Sequence, residues 1–309
     1  MDSTDIFNGT SIQRSWVTIG AFDGVHSGHQ VLFKKIIEGA RQAKCPSVAI
    51  TFDPLPVLFF RRIKTDHVLT TTEERVSLIK SLGVDHVIVL AFTQELANLE
   101  AFDFMSQVKN AFGIEKLMAG FNFTLGKDRA GTVSELKRIG ARLNYEVEVV
   151  PPIRHGQEIV SSSNIRKLLK NGEVAKVRIF LGRPYSLSGQ VVYGEQRGGR
   201  LGIPTANMSI PGERLLPAMG VYATLAHIDH QAYISVTNVG VRPTFENPLP
   251  SPRVEPHLLD TNDTFYGKTI KLEFIEYLRP EVRFPDARAL VDQIQKDIQK
   301  TREIFAHDQ

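Results

Sequence analysis

The chain has 309 residues, which is too long for one ordinary domain and predicts two, each able to bury its own core. Its 37 basic and 34 acidic residues leave a net charge of +3, and the basic residues are scattered, so nucleic-acid binding is disfavoured and small anionic ligands explain the charge more simply. The single cysteine, Cys45, excludes an intramolecular disulfide, Met1 to Asp5 lacks the pattern of a signal peptide, and no apolar run approaches the roughly 20 residues of a membrane span, so we expect a cytoplasmic protein without a membrane role.

The first half of the chain alternates apolar runs with amphipathic stretches, which is typical of a parallel sheet covered by helices. Strands are predicted at 16–20, 47–52, 86–90, 116–120 and 146–150. Thr71 and Glu74 have the spacing of a capping box, and Gly83 is placed to end the helix that they begin. A further helix is predicted from Ser163 to Leu181.

The second half has a different rhythm. Gly182-Arg183-Pro184 interrupts the helical pattern, and we place the domain boundary there, giving domains of 1–182 and 183–309. Strands are then predicted at 190–193, 221–228, 232–239, 254–259 and 270–278, followed by a helix that starts near Asp286. Closely spaced strands without intervening helices predict an antiparallel sheet or small barrel, so the fold class is α/β plus β.

Two histidines stand three residues apart where the first predicted strand turns into a helix. Imidazoles beside a glycine-rich turn can donate hydrogen bonds to phosphate oxygens, and the helix N-terminus adds free N–H groups and a favourable dipole. A lone histidine would more often be structural. The pair His26 and His29, within the segment Gly20 to His29, favours a phosphate site.

A second glycine-rich segment lies in the other half. Its glycines let a backbone approach phosphate groups closely, and its arginines add positive charge. Thr205 and Asn207, just beyond it, offer oxygen ligands suited to Mg²⁺. In an arbitrary protein such a turn is more often a solvated loop. The residues concerned are Gly194, Arg197, Gly198, Gly199, Arg200 and Gly202.

Both segments resemble motifs of one family. Gly20 to His29 resembles the HxGH signature of nucleotidyltransferases in the form found in bacterial riboflavin kinase/FAD synthetase enzymes, and segments 51–54, 120–126 and 161–166 resemble that family's other adenylyltransferase motifs. Gly202 to Asn207 resembles the Pro-Thr-Ala-Asn signature of riboflavin kinase. The resemblance covers essentially the whole chain. It implies a Rossmann-like nucleotidyltransferase domain with a parallel sheet, then a riboflavin-kinase-type antiparallel β-barrel with a closing helix.

For the first domain, the resemblance implies that the phosphate of FMN attacks the α-phosphorus of ATP, giving FAD and pyrophosphate. His26 and His29 then bind the ATP phosphates, Arg166 holds the triphosphate, and Asn122 positions the nucleotide or FMN. Because the attacking phosphate is already anionic, alignment and charge stabilisation are the main requirements. The other residues assigned to this site are Gly20, Phe22, Asp23, Gly28, Ser162 and Ser163.

For the second domain, the resemblance implies transfer of the γ-phosphate of ATP to riboflavin, giving FMN and ADP. An attacking alcohol must lose its proton, so a carboxylate is required. Glu255 aligns with the family's proposed general base, while His257 and Asp260 are weaker candidates. Pro256 predicts a strand edge or bulge beside this carboxylate. The implied ATP-binding residues are Gly194, Arg197, Gly199, Arg200, Gly202, Thr205 and Asn207, the last two also holding Mg²⁺.

Two departures from the family pattern leave a second hypothesis open. Leu55 stands where family members commonly carry histidine, and Leu125 replaces an aromatic residue. The alternative is a flavokinase whose N-terminal domain has lost catalysis and binds flavin, protein or RNA as a regulatory module. The retained phosphate-binding set argues against it, and the kinase motifs argue against a different nucleotidyltransferase fused to an unrelated barrel. Oligomerisation is compatible with the sequence, although no heptad or self-complementary patch marks an interface.

Overall fold

The computed structural model describes residue 7 and residues 11–63, 66–193, 203–241, 252–261 and 263–307. The chain divides into two compact units, one of residues 1–64 with 68–162, the other of residues 65–67 with 163–309. The division by contacts therefore assigns the segment 163–181 to the second unit, while the sequence-based limits of 1–182 and 183–309 stay a prediction. Among the residues described, no helix combines the length and the apolar character needed to cross a membrane.

The first unit is built on a parallel sheet. Its strands are β1 (Ser15–Ile19), β2 (Ser47–Asp53), β3 (His86–Ala91), β4 (Ile114–Gly120), β5 (Thr124–Leu125), β6 (Gly131–Thr132), β7 (Glu146–Val150), β8 (Arg154–His155) and β9 (Glu158–Ile159). The five longer strands pair in parallel in the order β3-β2-β1-β4-β7. All five strands predicted from the sequence are confirmed, with ends shifted by at most two residues.

Helices cover both faces of this sheet. They are α1 (Ser27–Gln42), α2 (Pro56–Arg61), α3 (Thr72–Ser81), α4 (Gln94–Ala97), α5 (Ala101–Phe112) and α6 (Val133–Leu143). Phe33 and Ile36 of α1 pack in one core with Ile79 of α3, while Met105 of α5 and Ile139 of α6 belong to the other. The predicted capping box is present at the start of α3. The sheet is thus enclosed on both sides, and its strand ends are left for a site.

The helical segment before the barrel differs from its prediction. One helix was expected from Ser163 to Leu181, but the structure has two, α7 (Ser162–Lys170) and α8 (Val174–Leu181). Gly172 has φ +78°, and the N–H groups of Gly172 and Glu173 bond to the carbonyls of Leu169 and Leu168. This is the Schellman arrangement that ends a helix, and only glycine adopts its left-handed φ at little cost.

The second unit contains the predicted barrel. Its strands are β10 (Tyr185–Val192), β11 (Asn207–Ser209), β12 (Gly220–Ile228), β13 (Gln231–Val241), β14 (Pro252–Leu258) and β15 (Thr269–Arg279), and its last described helix is α9 (Ala287–His307). These strands close antiparallel in the order β10-β11-β14-β13-β12-β15. The short β11 was not predicted, and β10 begins five residues before its predicted start at residue 190.

The interior of the barrel is filled with side chains. Tyr222 and Phe274 are fully buried there, and Thr224 lies 2.7 Å from the Ser235 hydroxyl and 2.6 Å from that of Thr237. Side chains alternate across each strand, so the neighbours of these residues face outward. Any ligand site of the barrel must therefore form on its outer surface or at its ends.

Candidate functional site in each unit

The turn between β1 and α1 brings the two predicted histidines together. His26 is the N-cap of α1, and its Nδ1 accepts a hydrogen bond from the backbone N–H of His29 over 3.3 Å. The two rings stack with centroids 3.6 Å apart. Since Nδ1 of His26 is an acceptor, the proton of the neutral ring lies on Nε2. Two imidazoles therefore lie at the positive end of a helix, where an anion is favoured.

His29 is uncharged near neutral pH. Its Nδ1 is buried, with no hydrogen-bond partner among the described residues, although the residue as a whole keeps partial exposure. Burial lowers the pKa of His29 well below its usual value, and the adjacent His26 lowers it further. A neutral imidazole still carries one N–H, so His29 can donate to a phosphate oxygen without a proton being taken up first.

Three of the predicted nucleotide-binding residues shape this turn. Phe22 is 3% exposed, has φ +47°, and packs its ring edge-on to His29 with centroids 5.3 Å apart. A Cβ at Gly20 would lie 2.8 Å from the Phe22 ring, and one at Gly28 would lie 3.2 Å from the His26 ring. Glycine at these positions leaves room for the rings, so these residues position the histidines; direct contact with the nucleotide stays a prediction.

Asp23 fastens the histidine turn to the segment before α3. Its carboxylate is 2% exposed and accepts hydrogen bonds from the N–H groups of Leu69 (2.9 Å) and Thr70 (3.1 Å). The Thr70 hydroxyl in turn accepts from the N–H of Gly24, and the Ser162 hydroxyl donates to the carbonyl of Asp23 over 2.8 Å. Asp23 and Ser162 therefore hold the backbone of the turn, and their assignment as nucleotide ligands stays a prediction.

A cavity of about 480 Å³ opens at the carboxyl end of the sheet. Gly20 and Ala21, at the start of the histidine turn, form part of its wall, as does the predicted Asn122. The wall is largely aromatic and aliphatic, with an arginine on each of two segments. Its other lining residues include Phe52, Pro56, Val57, Phe60, Arg61, Phe92, Leu99, Phe123, Leu125 and Arg129.

Sequence reasoning missed most of this cavity. Phe60 and Phe92 contact each other edge-on, with centroids 5.6 Å apart, although they come from different segments of the chain. Arg61 and Arg129 also went unnoticed. A signal was available in the apolar run Val57 to Phe60, which directly follows the Asp53 to Pro56 motif and is too short for a core helix.

The two family departures occupy different places. Leu125 lines the cavity, whereas Leu55 is not among the described residues of its wall. Leu55 is 2% exposed and forms the N-cap of α2 without a side-chain hydrogen bond. The leucine at position 55 therefore contributes to packing at the end of β2.

Ser163 and Arg166 belong to the second unit by contacts. Both lie in the first turns of α7, and Nε of Arg166 donates to the carbonyl of His67 over 2.8 Å. This bond holds the side chain of Arg166, which starts from α7, against the backbone of His67. The contact of Arg166 with a triphosphate stays a prediction.

Glu255 lies in a row of polar side chains on the outer face of the barrel. It pairs with Asn238 across β13 and β14. On its other side Met208 pairs with Val254, and continuing that register places Asn207 opposite Glu255. Glu255 is partly buried, with its side chain 25% exposed, and its Oε1 accepts from Arg253 Nη1 over 3.3 Å. The predicted base and one predicted metal ligand are thus neighbours on adjacent strands.

The weaker candidates are occupied by structural contacts. Nδ1 of His257 donates to the carbonyl of Pro204 over 2.7 Å, and Asp260 accepts from Arg302 over 2.7 Å. His257 thereby ties β14 to the residues just before Thr205, which is exposed. Because both side chains make these contacts, Glu255 stays the preferred candidate for the base.

Pro256 does not mark an edge or a bulge. β14 pairs with β13 along its whole length, with Pro256 opposite Thr237 and no register shift. The Pro256 carbonyl accepts from the N–H of Ala206 over 2.9 Å. In a strand the N–H and C=O of one residue point to the same neighbouring strand. The N–H group that Pro256 lacks would therefore face the short β11, so few interstrand hydrogen bonds are lost.

Five other residues predicted for the kinase site lie outside the described residues: Gly194, Arg197, Gly199, Arg200 and Gly202. Within the described ranges, no group of three or more histidine, cysteine, aspartate or glutamate residues could hold a metal ion. The donors of Thr205 and Asn207 are instead a hydroxyl and an amide oxygen. Such a pair suits Mg²⁺ that is also bound by nucleotide phosphates, which is its usual arrangement.

The fold and these two sites together describe a two-domain transferase that uses nucleotides in both parts. Residues 9–164 match the family model of FAD synthetase, and residues 181–305 match that of riboflavin kinase. The chain is 31% identical to the bifunctional riboflavin kinase/FMN adenylyltransferase of Listeria monocytogenes, over 94% of this chain and 92% of the relative. The corresponding values are 33%, 95% and 93% for the Bacillus subtilis enzyme and 32%, 94% and 92% for that of Escherichia coli.

A solved structure has the same fold over 96% of this chain. It is described as a macrolide-efflux protein from Streptococcus pneumoniae, has a TM-score of 0.88 and 31% identity, and the match covers 96% of this chain and 97% of that one. The chain therefore belongs to the bifunctional riboflavin kinase/FMN adenylyltransferase family.

Proposed function

We propose that this chain phosphorylates riboflavin to FMN in its barrel unit and adenylylates FMN to FAD in its parallel-sheet unit, using ATP for both steps. The products besides the flavins are ADP and pyrophosphate. The observation that supports the proposal is that each unit holds residues suited to one of the two reactions: a stacked histidine pair at a helix N-terminus in one, and a carboxylate between two amides on neighbouring strands in the other. A cytoplasmic location, expected from the single cysteine, is part of the proposal.

The adenylyl transfer follows from the first unit. The aromatic wall of the cavity, with Phe52, Phe60 and Phe92, suits the flat isoalloxazine ring of FMN, and Arg61 and Arg129 can pair with its phosphate. A phosphate oxygen of FMN attacks the α-phosphorus of ATP, and the bond from that phosphorus to the bridging oxygen breaks, releasing pyrophosphate. The N–H groups of the histidine pair and of the α1 N-terminus stabilise the charge on the reacting phosphates.

The phosphoryl transfer follows from the barrel. Glu255 accepts the proton of the riboflavin 5′-hydroxyl as its oxygen attacks the γ-phosphorus, and ADP leaves. Arg253, whose Nη1 donates to Oε1 of Glu255 over 3.3 Å, helps to hold the carboxylate in place for this step. Thr205 and Asn207 would hold Mg²⁺, which neutralises phosphate charge when bound.

Two chromatographic assays of the purified chain with ATP and Mg²⁺ test the proposal, one started with riboflavin and one with FMN. Formation of FMN in the first and FAD in the second is expected. FMN without FAD in either assay would instead support the flavokinase with a regulatory N-terminal domain, and no product in either would reject both.

Two variants assign the activities to the sites. Glu255→Gln should suppress FMN formation and spare FAD formation from FMN, and His29→Ala should do the converse, each by about 100-fold or more. Each variant is the control for the other, because the unaffected activity shows that the unaltered unit is intact, and a circular dichroism spectrum checks the folding of the altered unit. Full kinase activity in Glu255→Gln would remove Glu255 as the base, and unchanged FAD formation in His29→Ala would remove the histidine site.

A further inference from the structure

The first unit contains a buried arginine, Arg75, that has no role in the proposed reaction. Arg75 of α3 is 1% exposed, and its Nη2 donates to the carbonyl of Phe52 over 2.7 Å and to the Thr72 hydroxyl over 3.1 Å. Its Nε has no hydrogen-bond partner among the described residues. Burying a guanidinium costs folding free energy unless the charge is paired. We therefore expect Arg75 to have a role that offsets this cost.

Two of the carboxylates that act on Arg75 come from segments of the proposed adenylylation site. Burial lowers the pKa of Arg75, and the carboxylates of Asp23, Asp53 and Glu73 oppose that shift. Asp23 is the buried residue of the histidine turn, and Asp53 is the last residue of β2. The cation therefore lies in the field of two carboxylates that come from the two segments forming the adenylylation site.

The hydrogen bond of Arg75 also reaches the site. Phe52, whose carbonyl it binds, lines the cavity, and the preceding Thr51 donates its hydroxyl to the carbonyl of Ala21, which lines the same cavity. The Thr51 bond thus joins the end of β2 to the start of the histidine turn. Arg75 binds the same end of β2 through the carbonyl of Phe52. It touches neither the cavity surface nor the histidines in the contacts described.

We propose that Arg75 is a positioning residue for FMN adenylylation, an inference that rests on the proposed function of the first unit. Its guanidinium fixes the end of β2 through the Phe52 carbonyl and balances the negative charge of Asp23 and Asp53. Two polyanions, ATP and FMN, must meet next to these carboxylates. Without the guanidinium, the negative charge of the buried Asp23 would repel the incoming phosphates. The backbone at Phe52 would also no longer be held in position relative to the histidine turn.

The test uses the full chain with Arg75→Met, which keeps much of the side-chain length without charge, and Arg75→Lys, which keeps the charge. Arg138→Met is the matched control, because Arg138 is a helix arginine of the same unit whose side chain is 78% exposed. We expect kcat/KM for FAD formation to fall at least tenfold in Arg75→Met, with higher KM for ATP and FMN. Arg75→Lys should recover part of the loss, and Arg138→Met should match the wild type.

Riboflavin phosphorylation by the same samples shows that the second unit is intact, and the melting temperature together with the kinetics of the folded fraction separates positioning from folding of the first unit. The rate of riboflavin phosphorylation should change less than twofold in every variant. A merely structural arginine would lower the melting temperature and the yield of Arg75→Met while leaving kcat and KM of the folded fraction unchanged, and that result would overturn the inference. If Arg75→Met does not fold, Arg75→Gln, which also lacks the charge, takes its place, and wild-type kcat and KM in Arg75→Gln would overturn the inference equally. Absence of FAD from the wild-type chain would overturn the proposed function itself, and this inference with it.

Discussion

At the scale of the residue, the state of His29 has a consequence for stability. The folded protein keeps this imidazole neutral because burial lowers its pKa, whereas in the unfolded chain it titrates near its ordinary value of about 6.5. As pH falls through that value, the unfolded chain binds a proton that the folded chain does not, so the free energy of unfolding falls. The loss ends once the pH is below the folded pKa.

Denaturant unfolding between pH 7.5 and pH 5 measures this effect. The fall in unfolding free energy should be steeper for the wild type than for His29→Gln, since other groups contribute equally to both. His155→Gln is the control, because His155 is exposed on the β8–β9 hairpin. Equal pH dependence in the wild type and His29→Gln would contradict a buried neutral His29.

The Leu55 departure can be tested by restoring the family's histidine. Leu55 is 2% exposed and its side chain packs at the N-terminus of α2. Leu55→His would bury a polar ring without a partner, at a cost of about 1–3 kcal/mol, and should not raise FAD formation from FMN. Thermal unfolding and the FAD assay check both points, with Leu55→Met as the volume-matched control. Faster FAD formation would show that the leucine limits catalysis.

At the residue scale, the sequence could indicate which side chains lie together only where they are close in the chain. The two histidines lie within one turn, so their proximity could be read from their spacing, whereas the register that brings Glu255 near Asn207 could not. Phe60, Arg61 and Arg129 were missed, because their common feature is a cavity wall assembled from segments far apart in the chain. No spacing in the sequence encodes that meeting.

At the scale of the element, α3 depends on its capping box. The Thr71 hydroxyl accepts from the N–H of Glu74, and the Glu74 carboxylate accepts from the N–H of Thr71. Thr71→Ala should lower the unfolding free energy by about 1 kcal/mol, and Thr71→Ser should lower it less because serine also caps. Denaturant unfolding measures both. Equal losses in the two variants would show that the methyl group, not the cap, matters.

Element boundaries were predictable to the extent that hydrophobic periodicity and turn residues fix them. The parallel strands β2 and β3 are nearly continuous apolar runs, which makes them easy to identify from the sequence. The three-residue β11 is too short to show a period, so it was missed. The break between α7 and α8 had a signal in Asn171-Gly172, but the apolar pattern continues on both sides and suggested one helix. The start of β10 shows its alternation only from Tyr185, inside a segment dominated by turn residues.

At the scale of the whole molecule, the chain length predicted two domains and the strand spacing predicted an antiparallel sheet or barrel. The order of the strands could not be predicted from the sequence. The order β3-β2-β1-β4-β7 and the closure of β10 onto β15 depend on which apolar faces meet in three dimensions. Each unit has its own buried residues and its own proposed reaction. A packing defect confined to one unit should therefore separate the two activities.

Arg279 and Asp297 provide such a defect in the barrel unit. Arg279 of β15 donates through Nε and Nη2 to the Asp297 carboxylate of α9, at 3.0 and 2.8 Å from Oδ2, and Asp297 is only 4% exposed. Asp297→Ala leaves the guanidinium unpaired in a largely buried place, which typically costs about 3–5 kcal/mol. Since α9 packs on the barrel, we expect riboflavin phosphorylation to be lost at lower temperature.

Residual activity after brief heating at increasing temperatures measures the separation. In Asp297→Ala the kinase should be inactivated several degrees below the wild type, while FAD formation from added FMN keeps its wild-type inactivation temperature. Asp292→Ala, at an exposed position of the same helix, should leave both unchanged. Simultaneous loss of both activities in Asp297→Ala would mean that the two units unfold as one cooperative body, because a defect of one would then be felt fully in the other.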